Sequence, residues 1–235
     1  AVMTELAFTR TTAERRSQAE RDAILADPGF GNYFTDHMAS IVWTKADGWQ
    51  NPEILPYGPI QMDPASSVLH YGQEIFEGMK AYRHADGSLV AFRPEENARR
   101  LNESARRLSL PEIPVELFVE AVRELVTIDA DWVPSGADQS LYLRPFMIAD
   151  ESFLGVRAAE RARFLVIASP AGPYFTGGVK PVSIWLSETH SRAGRGGTAV
   201  EGPGEQARVD GVDLRLDDDV ADAPDDLADD DTRVA

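Results

Sequence analysis

The 235-residue chain has no cysteine, which excludes disulfides, thiolate metal ligands and a cysteine nucleophile. It has no apolar run of the roughly 18 residues that a membrane-crossing helix needs. The stretch from Ala1 to Arg21 is polar and charged, without the apolar centre of a signal peptide. These absences predict a soluble, cytoplasmic protein without a membrane partner. Basic residues are also scarce: 23 Lys and Arg stand against 39 Asp and Glu, a formal net charge of -16. The electropositive footprint of a nucleic-acid binder is missing, and polyanions are repelled. The four histidines form no metal motif; His70 has no partner at ligand spacing, and His37 reads as structural. Gly177-Gly178 and Gly194-Arg195-Gly196-Gly197 lack the spacing of a phosphate-binding fingerprint, and no internal repeat is visible.

What is present is ordinary globular composition, 43% hydrophobic and 9% aromatic, enough for a sizeable core. The charge is unevenly spread. Residues 199–235 hold thirteen acids against three arginines and so account for -10 of the -16; aromatics and lysines vanish there. Such a tail cannot bury enough apolar surface to fold alone and is expected to be disordered.

Upstream, Thr11 to Asp27 has helix-forming composition and stops at Asp27-Pro28-Gly29. Ser40 to Thr44 and Tyr57 to Met62 read as strands, and a short helix is expected from Ser66-Ser67 through Val68 to Phe76. Met79 to Arg83 and Leu89 to Phe92 flank Asp86-Gly87, a hairpin signal. Two amphipathic helices follow, one opened by Arg93-Pro94-Glu95-Glu96 and one over Val115 to Asp129. Three β-type runs, Ser140 to Ile148, Ala162 to Ser169 and Pro181 to Leu186, complete an α+β pattern, a mixed sheet covered by helices.

Arg144 lies in the apolar run Leu141-Tyr142-Leu143-Arg144-Pro145-Phe146, where an arginine needs an anionic partner. Its planar fork suits a ligand carboxylate, with Tyr142 on the same face; an internal salt bridge is the competing reading. Arg99, Arg100, Arg106 and Arg107 crowd one helix, either as a phosphate contact or as a solvated face. Tyr71, Gln73 and Phe76 are spaced either as core or as pocket wall.

The order of motifs is more specific than any one of them. Phe34 to Met38 is followed by Leu69-His70-Tyr71-Gly72-Gln73-Glu74-Ile75-Phe76-Glu77-Gly78-Met79-Lys80-Ala81-Tyr82-Arg83. Then come Phe92-Arg93-Pro94, Asp131-Trp132-Val133-Pro134, Ser140 to Pro145, Gly155-Val156, Gly172-Pro173-Tyr174-Phe175, Gly177-Gly178 and Lys180 to Ser183. Over residues 20 to 198 this series resembles branched-chain amino acid aminotransferases, fold type IV enzymes that use pyridoxal 5'-phosphate. The resemblance implies a small domain at residues 28–170 behind a helical extension at 1–27, and a linker with the first strand of a large domain at 171–198. It implies that Arg100 holds the cofactor phosphate, and that Tyr142 and Arg144 meet the substrate carboxylate from the partner subunit of a homodimer. Phe30, Tyr71 and Phe76 would wall the branched side-chain pocket, and Tyr174 would lie in the linker. The implied substrates are leucine, isoleucine and valine, with 2-oxoglutarate and glutamate as the exchange pair.

The resemblance ends near Ala199. The Schiff-base lysine is expected near position 202, which is Gly202, and the chain's only lysines are Lys45, Lys80 and Lys180. A frameshift at about position 199 accounts for the aspartate-rich tail, and an acidic interaction tail is the alternative. Because one lysine anchors the cofactor and moves the proton, this polypeptide is expected to be inactive alone and to bind the cofactor weakly or not at all. The alternative function is a non-catalytic dimerisation or binding module.

Overall fold

In a computed structural model of the chain, the described residues are 7–136, 138–173 and 181, with the backbone of 185–186 and 212–213. The expectations for Tyr174, for Gly202 and for nearly all of the acidic tail therefore lie outside the described residues. The chain divides into two units, residues 1–174 and 175–235.

The first unit is α+β. Its strands are β1 (Thr9–Arg10), β2 (His37–Thr44), β3 (Gly48–Pro56), β4 (Glu74–Phe76), β5 (Met79–Arg83), β6 (Leu89–Ala91), β7 (Ser140–Ala149) and β8 (Arg161–Ala171). Its helices are α1 (Gln18–Ala26), α2 (Ser67–Tyr71), α3 (Pro94–Arg107) and α4 (Val115–Ile128). The strands form one mixed sheet of order β1-β3-β2-β8-β7-β5-β6, with β4 also paired to β7. Only the β1–β3 pair is parallel. In the second unit, β9 (Trp185–Leu186) pairs antiparallel with β10 (Val212–Asp213).

Alternation along the strands separates two faces. Ala39 and Ile41 of β2, Leu141 and Leu143 of β7, and Phe164 and Val166 of β8 are buried in one large cluster. Ala98, Leu101 and Ala105 of α3 and Phe118, Val122 and Leu125 of α4 complete it, so these two helices cover that face. Each buried leucine or phenylalanine contributes about 1.5–3 kcal/mol relative to exposure. Asn102 of α3 donates to Ile113 O at 2.8 Å and accepts from Ile113 N at 2.9 Å, satisfying the buried chain before α4. On the other face Met38, Ile148 and Leu165 form a smaller cluster with Ile60, Met62, Val68 and Phe146 packed on it.

Three expected elements differ in extent or kind, and β1 and β3 were not among the expected strands. The first helix begins at Gln18, seven residues late, because Ser17 and Glu20 form a reciprocal capping box that starts it there. Tyr57 to Met62 is not a strand but a covering segment whose Ile60 and Met62 pack on the second face. The helix expected through Phe76 ends at Tyr71, where Gly72 takes a left-handed φ of 58°, and Glu74 to Phe76 is strand.

β4 and β5 lie along the same edge of β7 in one unbroken register, Phe76 opposite Phe146 and Met79 opposite Leu143. Glu77 bridges them and donates its N–H to Pro145 O at 2.8 Å. β6 covers only Ala81 to Arg83 of β5. The chain then turns away at Arg93, φ 47°, into α3, which starts with Pro94 at its first turn. The edge of β5 beside Gly78 and Lys80 is thereby left without a neighbouring strand.

Candidate functional site

That uncovered edge opens a cleft of about 430 Å³ lined by Gly78, Met79, Lys80, Tyr82, Phe92, Asn97 and Tyr142. A recess of about 170 Å³, lined by Phe92, Arg93, Glu96, Asn97 and Arg100, shares Phe92 and Asn97 with it. Sheet pleat puts Phe76, Gly78, Lys80 and Tyr82 on the face away from α3 and α4, and puts Tyr142, Arg144 and Phe146 there on the next strand.

On this face Arg144 has no acidic partner among the described residues, so the internal salt bridge is not what holds it. Its Nη2 donates to Tyr142 Oη at 2.7 Å and its Nε to the same oxygen at 3.2 Å. The guanidinium lies 4.4 Å from the centre of the Phe76 ring and 5.4 Å from that of Tyr142. Both contacts are with neutral groups, so the charge is oriented without being cancelled. Phe30 packs edge-on against Tyr142 with ring centres 5.1 Å apart. Phe30 and Phe76 are each about 60% exposed, which gives Arg144 an apolar surround open on one side. Gly78 is required by Tyr142: a Cβ there would lie 2.6 Å from the phenol oxygen.

Arg100 is held differently. Glu77, 5% exposed, accepts from Arg100 Nε at 2.7 Å and Nη2 at 2.6 Å, and from Asn97 Nδ2 at 2.9 Å. The Arg100 side chain remains 60% exposed at the recess. Its helix neighbours are surface pairs, Arg99 with Glu96 and Arg106 with Glu112. Tyr71 stands apart from this group: it is half exposed and donates its hydroxyl to Leu154 O. Phe30, Phe76, Tyr142 and Arg144 are thus brought together, Arg100 sits at the adjoining recess, and Tyr174 lies outside the described residues.

Glu77, Gly78, Asn97 and Phe92 join the site without having been singled out. Glu77 carried a signal: it shares strand parity with the apolar Ile75 and Met79, and an inward carboxylate demands a cation. Asn97 carried none, because its role depends on where α3 lies. His37 is structural as expected, with Nδ1 2.7 Å from Asp129 Oδ1 and Nε2 accepting from Ala13 N at 3.3 Å, which places the ring proton on Nδ1. His70 lies 2.8 Å from Pro64 O. Among the described residues no group of three or more acids and histidines forms a metal site, and no helix is long and apolar enough to cross a membrane.

No family model matches the chain. Curated relatives do. It is 61% identical over 183 residues to the branched-chain-amino-acid aminotransferase of Mycolicibacterium smegmatis, covering 77% of this chain and 50% of that protein. It is 58% identical over 189 residues to the probable enzyme of that name from Streptomyces coelicolor, covering 80% of this chain and 52% of that one. Against the Mycobacterium tuberculosis enzyme it is 55% identical over 183 residues, covering 77% and 50%. The chain spans about half the length of these relatives. Among solved structures it is similar to the Escherichia coli branched-chain amino acid aminotransferase, with a TM-score of 0.48, 20% identity and coverage of 74% of this chain and 51% of that one. It is also similar to the T.th. enzyme of that name with pyridoxamine 5'-phosphate, with a TM-score of 0.46, 27% identity and coverage of 59% and 42%. Over some four-fifths of its length this chain is a relative of the branched-chain-amino-acid aminotransferases, and it matches about half of one.

Proposed function

We propose that residues 28–170 carry the small-domain side of an aminotransferase site for leucine, isoleucine and valine, with 2-oxoglutarate and glutamate as the exchange pair. The observation that supports this best is Arg144, aimed by Tyr142 and Phe76 and without an acidic partner among the described residues. A guanidinium so oriented beside exposed aromatic rings suits a ligand with one carboxylate and an apolar side chain. In this reading Phe30 and Phe76 contact the side chain, Tyr71 and Tyr174 extend the wall, and a second copy of the chain completes the pocket in a homodimer. The setting is cytoplasmic.

Pyridoxal 5'-phosphate, bound, supplies an electron sink for removing the proton from the amino-acid Cα. The recess fits one part of it: Arg100 is an exposed cation held at a hollow that Phe92, Arg93, Glu96 and Asn97 also line. The amine that should hold its carbonyl does not fit, since position 202 is a glycine. No covalent step is therefore assigned, and this polypeptide is proposed to be inactive in transamination by itself. Gly202 likewise favours the second reading, a non-catalytic binding module. The proposed cause of the altered sequence is a change of reading frame near codon 199, checked by sequencing gene and transcript across codons 195–205.

The decisive experiment joins residues 1–198 to the remaining part of the Mycolicibacterium smegmatis relative, which restores that half of the site. The chimera should transfer the amino group from leucine to 2-oxoglutarate. Arg144→Ala in it should raise KM for both, since a lost charge-assisted contact costs roughly 1.5–3 kcal/mol, about ten- to a hundredfold. A soluble, folded chimera without leucine turnover would sink the proposal.

A further inference from the structure

The recess and the cleft share Phe92 and Asn97, and Asn97 reaches the dipeptide Glu77-Gly78, which has two jobs that the motif around it does not explain. Glu77 points into the helix-covered side, where its carboxylate takes two donors of Arg100 and one of Asn97. Asn97 also donates to Gly78 O at 3.3 Å. Gly78 points its missing side chain at Tyr142 Oη. Arg100 and Asn97 are one helical turn apart on α3, so Glu77 fixes the rotation of that turn as well as the guanidinium.

We infer that Glu77 is a positioning residue for an anion site at Arg100. This rests on the reading of Arg100 as a phosphate anchor given above. A side chain that is 60% exposed has many rotamers open to it, and a bidentate clamp on Nε and Nη2 leaves one orientation of the guanidinium plane. The alternative is electrostatic: a buried carboxylate beside Arg100 lowers the local positive potential and weakens anion binding. The two accounts predict opposite signs. If orientation dominates, removing the carboxylate loosens anion binding; if charge cancellation dominates, removing it tightens binding. The geometry favours orientation, because both oxygens of the buried Glu77 carboxylate are taken up by Arg100 and Asn97 and hold the guanidinium plane, while the Arg100 side chain stays 60% exposed.

The test titrates inorganic phosphate into the full chain and follows the arginine Nε–H signals by NMR, with thermal melting recorded on each variant. In the unsubstituted chain the Arg100 signal should exchange slowly with water and shift on phosphate addition, with a dissociation constant in the millimolar range expected for about 4 kcal/mol. Glu77→Asp, which keeps the charge but shortens the reach, and Glu77→Gln, which keeps the shape but removes it, should each weaken phosphate binding at least tenfold. A purely structural role would lower the melting temperature and leave the affinity of the folded fraction unchanged. Unchanged or tighter phosphate binding in both variants overturns the inference and leaves Arg100 as an anchor. An Arg100 Nε–H that exchanges as fast as other exposed arginines overturns it even if neither variant folds. No phosphate-dependent shift in the unsubstituted chain overturns the anchor reading and the inference together.

Discussion

At the scale of single residues, the site is a set of side chains whose directions are fixed by neighbours rather than by burial. Tyr142 shows this most sharply, since its hydroxyl accepts both Arg144 donors while standing where a Cβ on Gly78 would be. Gly78→Ala should therefore destabilise the chain by about 1–3 kcal/mol, the usual range for overpacking. Because the offending atom is the phenol oxygen, Tyr142→Phe should recover part of that loss. Strictly additive melting effects in the double-mutant cycle would show that the strain lies elsewhere. Part of this was legible beforehand: an arginine in an apolar run needs a partner, which left a ligand carboxylate and an internal salt bridge both open, and the i-2 spacing puts Tyr142 beside it. Its partner was not, because stacking on Phe76 depends on which strand lies next to β7, a fact that no local spacing contains.

At the scale of elements, the hairpin of β5 and β6 and helices α3 and α4 follow from periodicity and turn chemistry, whereas β3 does not announce itself. Its Asn51 and Pro52 are poor strand residues, and they are accommodated by a bulge in β3 itself, where the two oppose Ile41 of β2 alone and Asn51 takes φ 50°. The clamp from Asn102 to Ile113 is likewise tertiary. Asn102→Ala leaves a buried N–H and a carbonyl without their partner and should cost about 1–3 kcal/mol for each, seen as a lower denaturation midpoint with an unchanged slope. The connection from β7 to β8 adds a pH dependence. Glu151 is held below its ordinary value of 4.5 first by its hydrogen bond from Arg157 and also by one from the Glu160 N–H. A depressed folded value means that the stabilisation is complete above about pH 4.5 and is lost as pH falls through the lower folded value. Glu151→Gln should flatten the acid limb of the stability curve and leave the neutral region nearly parallel to that of the unsubstituted chain; an unaltered acid limb would remove Glu151 from the account.

At the scale of the whole molecule, the first unit presents one face sealed by α3 and α4 and another on which Arg144 and the exposed ring of Phe76 lie. In the first unit Lys45 is paired to Glu160, and Lys80 lines the open cleft with no specific bond among the described residues, so the proposed inactivity is tested at these amines. Borohydride reduction of the chain with pyridoxal 5'-phosphate should yield scattered substoichiometric adducts and no visible absorbance band; one stoichiometric adduct at Lys80 or Lys180 with leucine turnover would refute inactivity. The unbroken register from Glu74 to Arg83 also carries a rule about length. Inward Glu77 and outward Phe76, Gly78 and Lys80 keep their faces only while the count of residues between them stays fixed, so a single insertion or deletion in this stretch would turn the carboxylate out and the aromatic ring in. Substitutions here are tolerated or not one residue at a time, but a one-codon gap would exchange the two faces at once, so variants of this chain that keep Glu77 inside and Phe76 outside should differ in the spelling of this segment and never in its length.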